Sequence, residues 1–113
     1  MSLFSVLFGI TKEKNKAITL CNAAAFKAAI ANKKVQLIDV RTPDEYKSGH
    51  IKGAQNMDYF SRKFKLELDT LAKEKAVYVY CRSGSRSGKA AKNLAALGFK
   101  EIYDLKGGFL NYN

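Results

Sequence analysis

The stretch "VYVYCRSGSRSGKAAKNLAALGF" runs from Val77 to Phe99. Together with Ala76, its opening residues are β-branched and aromatic and predict a strand over 76–80. The strand pattern stops at Cys81, and a run of Arg, Ser and Gly follows. From Ser87 the pattern turns helical: Ala90, Ala91, Leu94 and Leu97 share one stripe, and Gly98 ends it. Strand, polar loop and helix in succession make the repeating unit of a parallel α/β sheet.

The same alternation extends in both directions. "AITL" (17–20) reads as a strand and "NAAAFKAAIANK" as a helix capped by Asn22, with Phe26, Ala29 and Ile30 at helical spacing. "VQLIDV" (35–40) is mostly apolar, as in a parallel strand buried on both faces. A short helix follows in "TPDEYKSGH": Thr42 caps it, Pro43 takes the first helical position, Glu45 completes a capping box and Gly49 ends it. "AQNM" predicts a brief strand, "RKFKLELDTLAK" a helix with Phe64, Leu68 and Leu71 on one face, and "EIYDL" a last strand. The expected fold is α/β, with a central parallel five-stranded sheet flanked by helices on both faces. Residues 17–113 form the domain and residues 1–16 an N-terminal segment.

In such sheets ligands sit at the carboxyl ends of the strands, where Cys81 lies. The loop Cys81, Arg82, Ser83, Gly84, Ser85, Arg86, Ser87 leads into a helix N-terminus, whose free N–H groups and partial positive charge attract an anion. Gly84 reaches backbone angles other residues avoid, and Arg82 and Arg86 add fixed charge. All of these favour a thiolate. A lone cysteine at a strand end is ordinarily a small buried hydrophobe. C-x-x-G-x-R between strand and helix argues instead for a nucleophile aimed at an anionic or thiol-derived substrate.

Bulk properties narrow the field. The 113 residues carry 20 Lys and Arg against 10 Asp and Glu, a formal charge of +10 that favours anions and acidic partner surfaces. The lysines are scattered and not interleaved with aromatics, so no specific nucleic-acid groove is expected. Two cysteines without a C-x-x-C pair and a single histidine offer no metal site and no disulfide framework, and no cofactor is expected. The apolar start "MSLFSVLFGI" is short for a membrane span and lacks the marks of an export signal. It reads as a packed segment or a short amphipathic tail, with a cytoplasmic location expected, or a periplasmic one if an export signal was removed.

Three stretches resemble the single-domain rhodanese-like sulfurtransferases: "LIDVRTPDEYKSGHIKGAQN" (37–56), "YVYCRSGSRS" (78–87) and "LKGGF" (105–109), in that family's order and spacing. The resemblance implies the rhodanese fold, with the active-site loop after the fourth strand. It also implies a ping-pong reaction in which Cys81 takes the outer sulfur of a donor such as thiosulfate and passes it, as a persulfide, to cyanide, a thiol or a protein cysteine. Arg86 and the loop N–H groups then hold the persulfide, and Arg82 meets the donor. Asp39, Arg41 and Glu45 are expected to brace the loop, with Arg41 pairing with Glu45. His50 is expected to be scaffold, Cys21 buried beside the first strand, and Gly107 and Gly108 the turn that returns the chain to the loop.

Phosphatases of the same fold carry C-x5-R, whereas this chain has C-x4-R from Cys81 to Arg86. The shorter cup suits a sulfur bound to cysteine and crowds a phosphate, which disfavours a phosphatase or arsenate reductase. The remaining alternative is a persulfide carrier or docking module with little thiosulfate turnover. An acidic acceptor protein would suit the positive surface.

Overall fold

The computed structural model describes residues 9–31 and 33–113. The apolar start of the chain, residues 1–8, lies outside the described residues. In chain order the elements are β1 (Ile10–Lys12), β2 (Ile18–Cys21), α1 (Ala23–Ile30), β3 (Gln36–Asp39), α2 (Pro43–Lys47), β4 (Gln55–Asn56), α3 (Phe64–Leu68), β5 (Val77–Tyr80), α4 (Ser85–Ala96), β6 (Ile102–Leu105) and a closing 3₁₀ turn, Phe109–Asn111. They build one sheet of order β1-β2-β6-β5-β3-β4. β2, β6, β5, β3 and β4 are parallel, and β1 runs antiparallel along β2.

The sheet thus has six strands where five were expected. The addition is the edge strand β1, whose Ile10 pairs with Cys21 and Lys12 with Thr19. It lies inside the segment 1–16 and puts the loop that begins at Cys81 after the fifth strand in chain order, where the fourth was expected. The helical stretch predicted at 62–73 is helical only over Phe64–Leu68. Beyond it the Thr70 hydroxyl donates to the Glu67 carbonyl at 2.6 Å, drawing off an acceptor that a continued helix would use.

Each face of the sheet carries its own core. Val77, Val79, Ile38, Val40 and Ile102 pack with Phe64 and Leu68 of α3 and with Ala90, Ala91 and Leu94 of α4. Leu37, Tyr80 and Leu105 point the other way, onto Phe26 of α1, Ile51 and Ala54. Each large apolar side chain fully buried this way contributes about 1.5–3 kcal/mol. The caps read from sequence are in place: Asn22 Oδ1 accepts from Ala25 N at 2.9 Å, and Thr42 and Glu45 bond reciprocally. Cys81 belongs to the α4-side core and is 1% exposed.

Candidate active site

Cys81 follows β5 directly, and α4 begins four residues later at Ser85. The helix starts earlier than Ser87 because Gly84 serves as its N-cap, at φ 107°. Without a capping side chain at Gly84, the first turn of α4 has spare N–H donors. The sulfur takes them: Cys81 Sγ accepts from Gly84 N at 3.1 Å and from Ser87 N at 3.3 Å. The thiol lies 3.5 Å from Ser87 Oγ, and that hydroxyl in turn donates to the Gly84 carbonyl at 3.3 Å. Sγ thus sits at the positive end of a twelve-residue helix with two amides aimed at it, an arrangement that stabilises negative charge on sulfur.

The closing turn clamps the loop from outside. Phe109 N donates to the Cys81 carbonyl at 2.9 Å, and Leu110 N to the Arg82 carbonyl at 3.1 Å. Gly108, at φ 66°, passes so close that a Cβ there would run into the Arg82 carbonyl and stand 2.6 Å from Ser83 N. Only glycine fits this approach.

The charged residues near the loop form two pairs. Arg86, in the first turn of α4, is bidentate to Glu45 of α2, at 2.7 Å (Nη1–Oε1) and 3.0 Å (Nη2–Oε2). Arg86 holds Glu45 far below its ordinary 4.5, at about 2, against the opposing effect of burial. Glu45 also accepts from Thr42 N at 3.0 Å, so one carboxylate joins the capping box of α2 to the rim of the cup.

Arg41 does not pair with Glu45, contrary to the sequence expectation; its partner is Asp39. Asp39 is fully buried at the end of β3 and accepts from Arg41 Nη2 at 2.7 Å, Arg41 Nε at 3.0 Å and the Tyr80 hydroxyl at 2.7 Å. A buried carboxylate needs this enclosure, and an arginine two residues on supplies it. Glu45, at the rim, is left for Arg86. Arg41 also donates to the Gly49 carbonyl at 2.7 Å and lies 4.6 Å from the centre of the Phe109 ring. Tyr80 and Phe109, missed as site residues by sequence reading, thereby connect this pair to the clamp.

Arg82, Ser83 and Ser85 are exposed on the outer side of the loop. His50 stacks on Tyr46, with ring centres 3.7 Å apart, and its Nδ1 lies 2.8 Å from the Tyr46 carbonyl, an engagement with α2 and not with Cys81. Cys21 is buried at the end of β2, and burial, with Asp104 nearby, pushes its thiol up to about 11. No helix among the described residues is long and apolar enough to cross a membrane.

Residues 22–113 match the family described as Rhodanese-like domain. The chain belongs to that family. The rhodanese-like chain is 47% identical over 77 residues to an uncharacterised protein, YqhL, of Bacillus subtilis strain 168; the match takes in 68% of this chain and 60% of the relative. It is 37% identical over 100 residues to a tRNA uridine(34) hydroxylase of Pelagibacter ubique, covering 88% of this chain and 33% of that protein. The chain therefore spans less than two thirds of the length of these relatives. Among solved structures, a rhodanese-related protein from Thermoplasma volcanium superposes with a TM-score of 0.70 at 31% identity, over 80% of this chain and 86% of that one. The rhodanese loop of this chain keeps the cysteine, the glycine and the arginine of C-x4-R.

Proposed function

We propose that the protein is a sulfurtransferase that carries sulfane sulfur as a persulfide on Cys81. The observation that carries this reading is the sulfur itself, buried at the N-terminus of α4 with the amides of Gly84 and Ser87 directed at it. The Cys81 thiolate attacks the outer sulfur of thiosulfate. The donor's S–S bond breaks and sulfite leaves with the electron pair. The terminal persulfide sulfur is again an anion, and the same amides and helix terminus stabilise it. A thiophile such as cyanide, a thiol or a protein cysteine then attacks that terminal sulfur and returns the thiolate.

Arg86 is anchored at the rim by its bidentate pair with Glu45, which fixes the first turn of α4 that supplies the Ser87 amide. Arg82, exposed, meets the incoming anion first. The reading is tested by intact mass after incubation with thiosulfate. The wild type gains one sulfur atom that cyanide removes, and Cys81→Ser gains none. A gain in Cys81→Ser, or none in either protein, overturns it.

One observation favours a protein as the acceptor. Phe60 is 68% exposed although its ring lies 5.8 Å from the Arg86 guanidinium, and Leu110 is 58% exposed although its N–H donates to the loop carbonyl of Arg82. Apolar groups on both sides of a positive rim suit an acidic protein surface that presents a cysteine. In that reading the domain is a persulfide carrier. Phe60→Ser and Leu110→Ser would then slow transfer to such a protein and leave transfer to cyanide intact.

A further inference from the structure

Lysines that lie far apart in the sequence gather in the fold along one side of the domain. Lys27 is in the last turn of α1, Lys33 and Lys34 link α1 to β3, Lys52 precedes β4 and Lys75 precedes β5; all five are exposed. They line three recesses of about 690, 350 and 410 Å³. The first and second share Lys33, Lys34 and Lys52, and the second and third share Lys34 and Val35, so the three form one furrow. Among the described residues no Asp or Glu side chain lines it, and none of the five ammonium groups is paired with a carboxylate. Its apolar lining includes Ile30, Ile51 and Val35. One end is walled by Phe109 and Tyr112, and the Phe109 N–H is the one that holds the Cys81 carbonyl at 2.9 Å.

We propose that this furrow holds an extended acidic segment of the protein that accepts sulfur from Cys81. Five cations with no carboxylate among them concentrate positive potential, and a polyanion relieves it. Three recesses in a row suit an extended chain better than a compact ligand. Among extended polyanions the rings favour a polypeptide over a single-stranded nucleic acid. Bases need open ring faces to stack on. Here the faces are taken: Lys27 Nζ sits 4.6 Å from the centre of the Tyr112 ring, Tyr112 stacks with Phe109, His50 with Tyr46 and Tyr78 with Tyr103. Carboxylates need only point charges on flexible stems, which lysines supply.

The furrow ends where the cup begins. Leu110, exposed beside Phe109, joins it to the apolar rim, so a segment seated along the lysines delivers a cysteine beyond its end to the rim. About ten extended residues span about 33 Å. That length matches the 31 Å breadth of the domain. The inference rests on the sulfur-transfer reading for its purpose and adds where the acceptor is held. No bond is made or broken in the furrow.

The probe is a dye-labelled peptide of about ten residues, glutamate and glycine, ending in serine for binding and in cysteine for transfer. Fluorescence anisotropy at low salt reads its binding to the wild-type protein. Lys33→Glu with Lys52→Glu, in the shared middle of the furrow, weakens binding about tenfold. Lys92→Glu with Lys100→Glu makes the same change in net charge outside the furrow and leaves binding within about twofold. No binding to the wild type, or equal loss in both variants, overturns the proposal. An oligothymidine of the same length that binds more tightly than the peptide, and is lost with the furrow pair, overturns it in favour of a nucleic acid. Transfer from sulfur-loaded Cys81 to the cysteine peptide, below saturation, slows about tenfold in the furrow variant while transfer to cyanide is unchanged. Equal slowing of both, or of neither, overturns the coupling of furrow to cup. Should Cys81 take up no sulfur from thiosulfate while furrow-dependent binding stands, the sulfur-transfer reading falls and the furrow remains a docking site for an acidic segment.

Discussion

Cys21 and Cys81 occupy equivalent places in two strand–helix units of one sheet, at the first and the last of its four β–α steps. Cys21 closes β2 and Cys81 follows β5; each precedes a helix, and they are 3% and 1% exposed. Their chemistry differs because of what comes next. After Cys21, Asn22 caps α1 at once, its Oδ1 taking the N–H of Ala25 three residues on. After Cys81, the cap is Gly84, which has no side chain, and Cys81 Sγ takes the N–H of Ser87 three residues beyond that glycine. The sulfur fills the position that the asparagine oxygen fills in the other unit. Burial without such donors drives the Cys21 thiol up to about 11 and leaves it inert.

The largest effect expected is a split between the two cysteines. Cys21→Ser keeps the thiosulfate-dependent mass gain in full, and Cys81→Ser loses it entirely. A loss in both would mean that the two units act together, and the contrast would fail. Next comes the clamp that only the second unit possesses. Gly108→Ala places a methyl against the loop backbone at Arg82 and Ser83, and displacing the cup by about 1 Å costs on the order of 100-fold in kcat/KM. Steady-state transfer to cyanide measures this, and an unchanged rate would show that the closing turn does not hold the loop.

A smaller effect, about tenfold, is expected of Arg86→Ala, which removes rim charge but neither amide. Its partner gives a pH test. Glu45 titrates lower in the folded chain, at about 2, than its ordinary 4.5. Its contribution is therefore fully present above 4.5 and is lost as pH falls through 2. Wild type should exceed Glu45→Gln by ~1 kcal/mol at pH 7, since the pair is half-buried at the surface. That gap closes between pH 4.5 and 2 in denaturant titrations. A gap that persists at pH 2 would place the stabilisation elsewhere.

How far the sequence reveals these features depends on how local they are. Strands β2, β3, β5 and β6 could be read directly, because parallel strands covered on both faces are apolar runs. The caps at Asn22 and Thr42 follow from neighbours within three residues. β1 could not be read: Ile10–Lys12 is three residues, two of them exposed, and it is a strand only because β2 offers an edge. The cup was legible through the spacing of Cys81, Gly84 and Arg86, but the partners of its arginines were not. Helical spacing makes Glu45 an apt mate for Arg41, whereas burial of Asp39 reserves Arg41 and contact between α2 and α4 gives Glu45 to Arg86. Asp104 shows the same limit: in "EIYDL" nothing marks the aspartate as buried, and only the packing of α4 over β6 makes it so.

The smallest effect expected lies in the first unit. Asn22→Ala removes the side-chain oxygen that accepts from Ala25 N and should cost about 1 kcal/mol in denaturant unfolding. It should leave sulfur loading at Cys81 unchanged, because α1 packs on the face of the sheet opposite α4. The same substitution logic cannot apply to Gly84, where any capping oxygen would compete with Sγ for the Ser87 amide. Gly84→Asn should therefore lower the reactivity of Cys81 toward iodoacetamide, although asparagine is a good helix cap and tolerates positive φ better than most residues. If Gly84→Asn instead left Cys81 equally reactive, the amide of Ser87 would not be shared between cap and sulfur. The correspondence between the two units would then be one of position only.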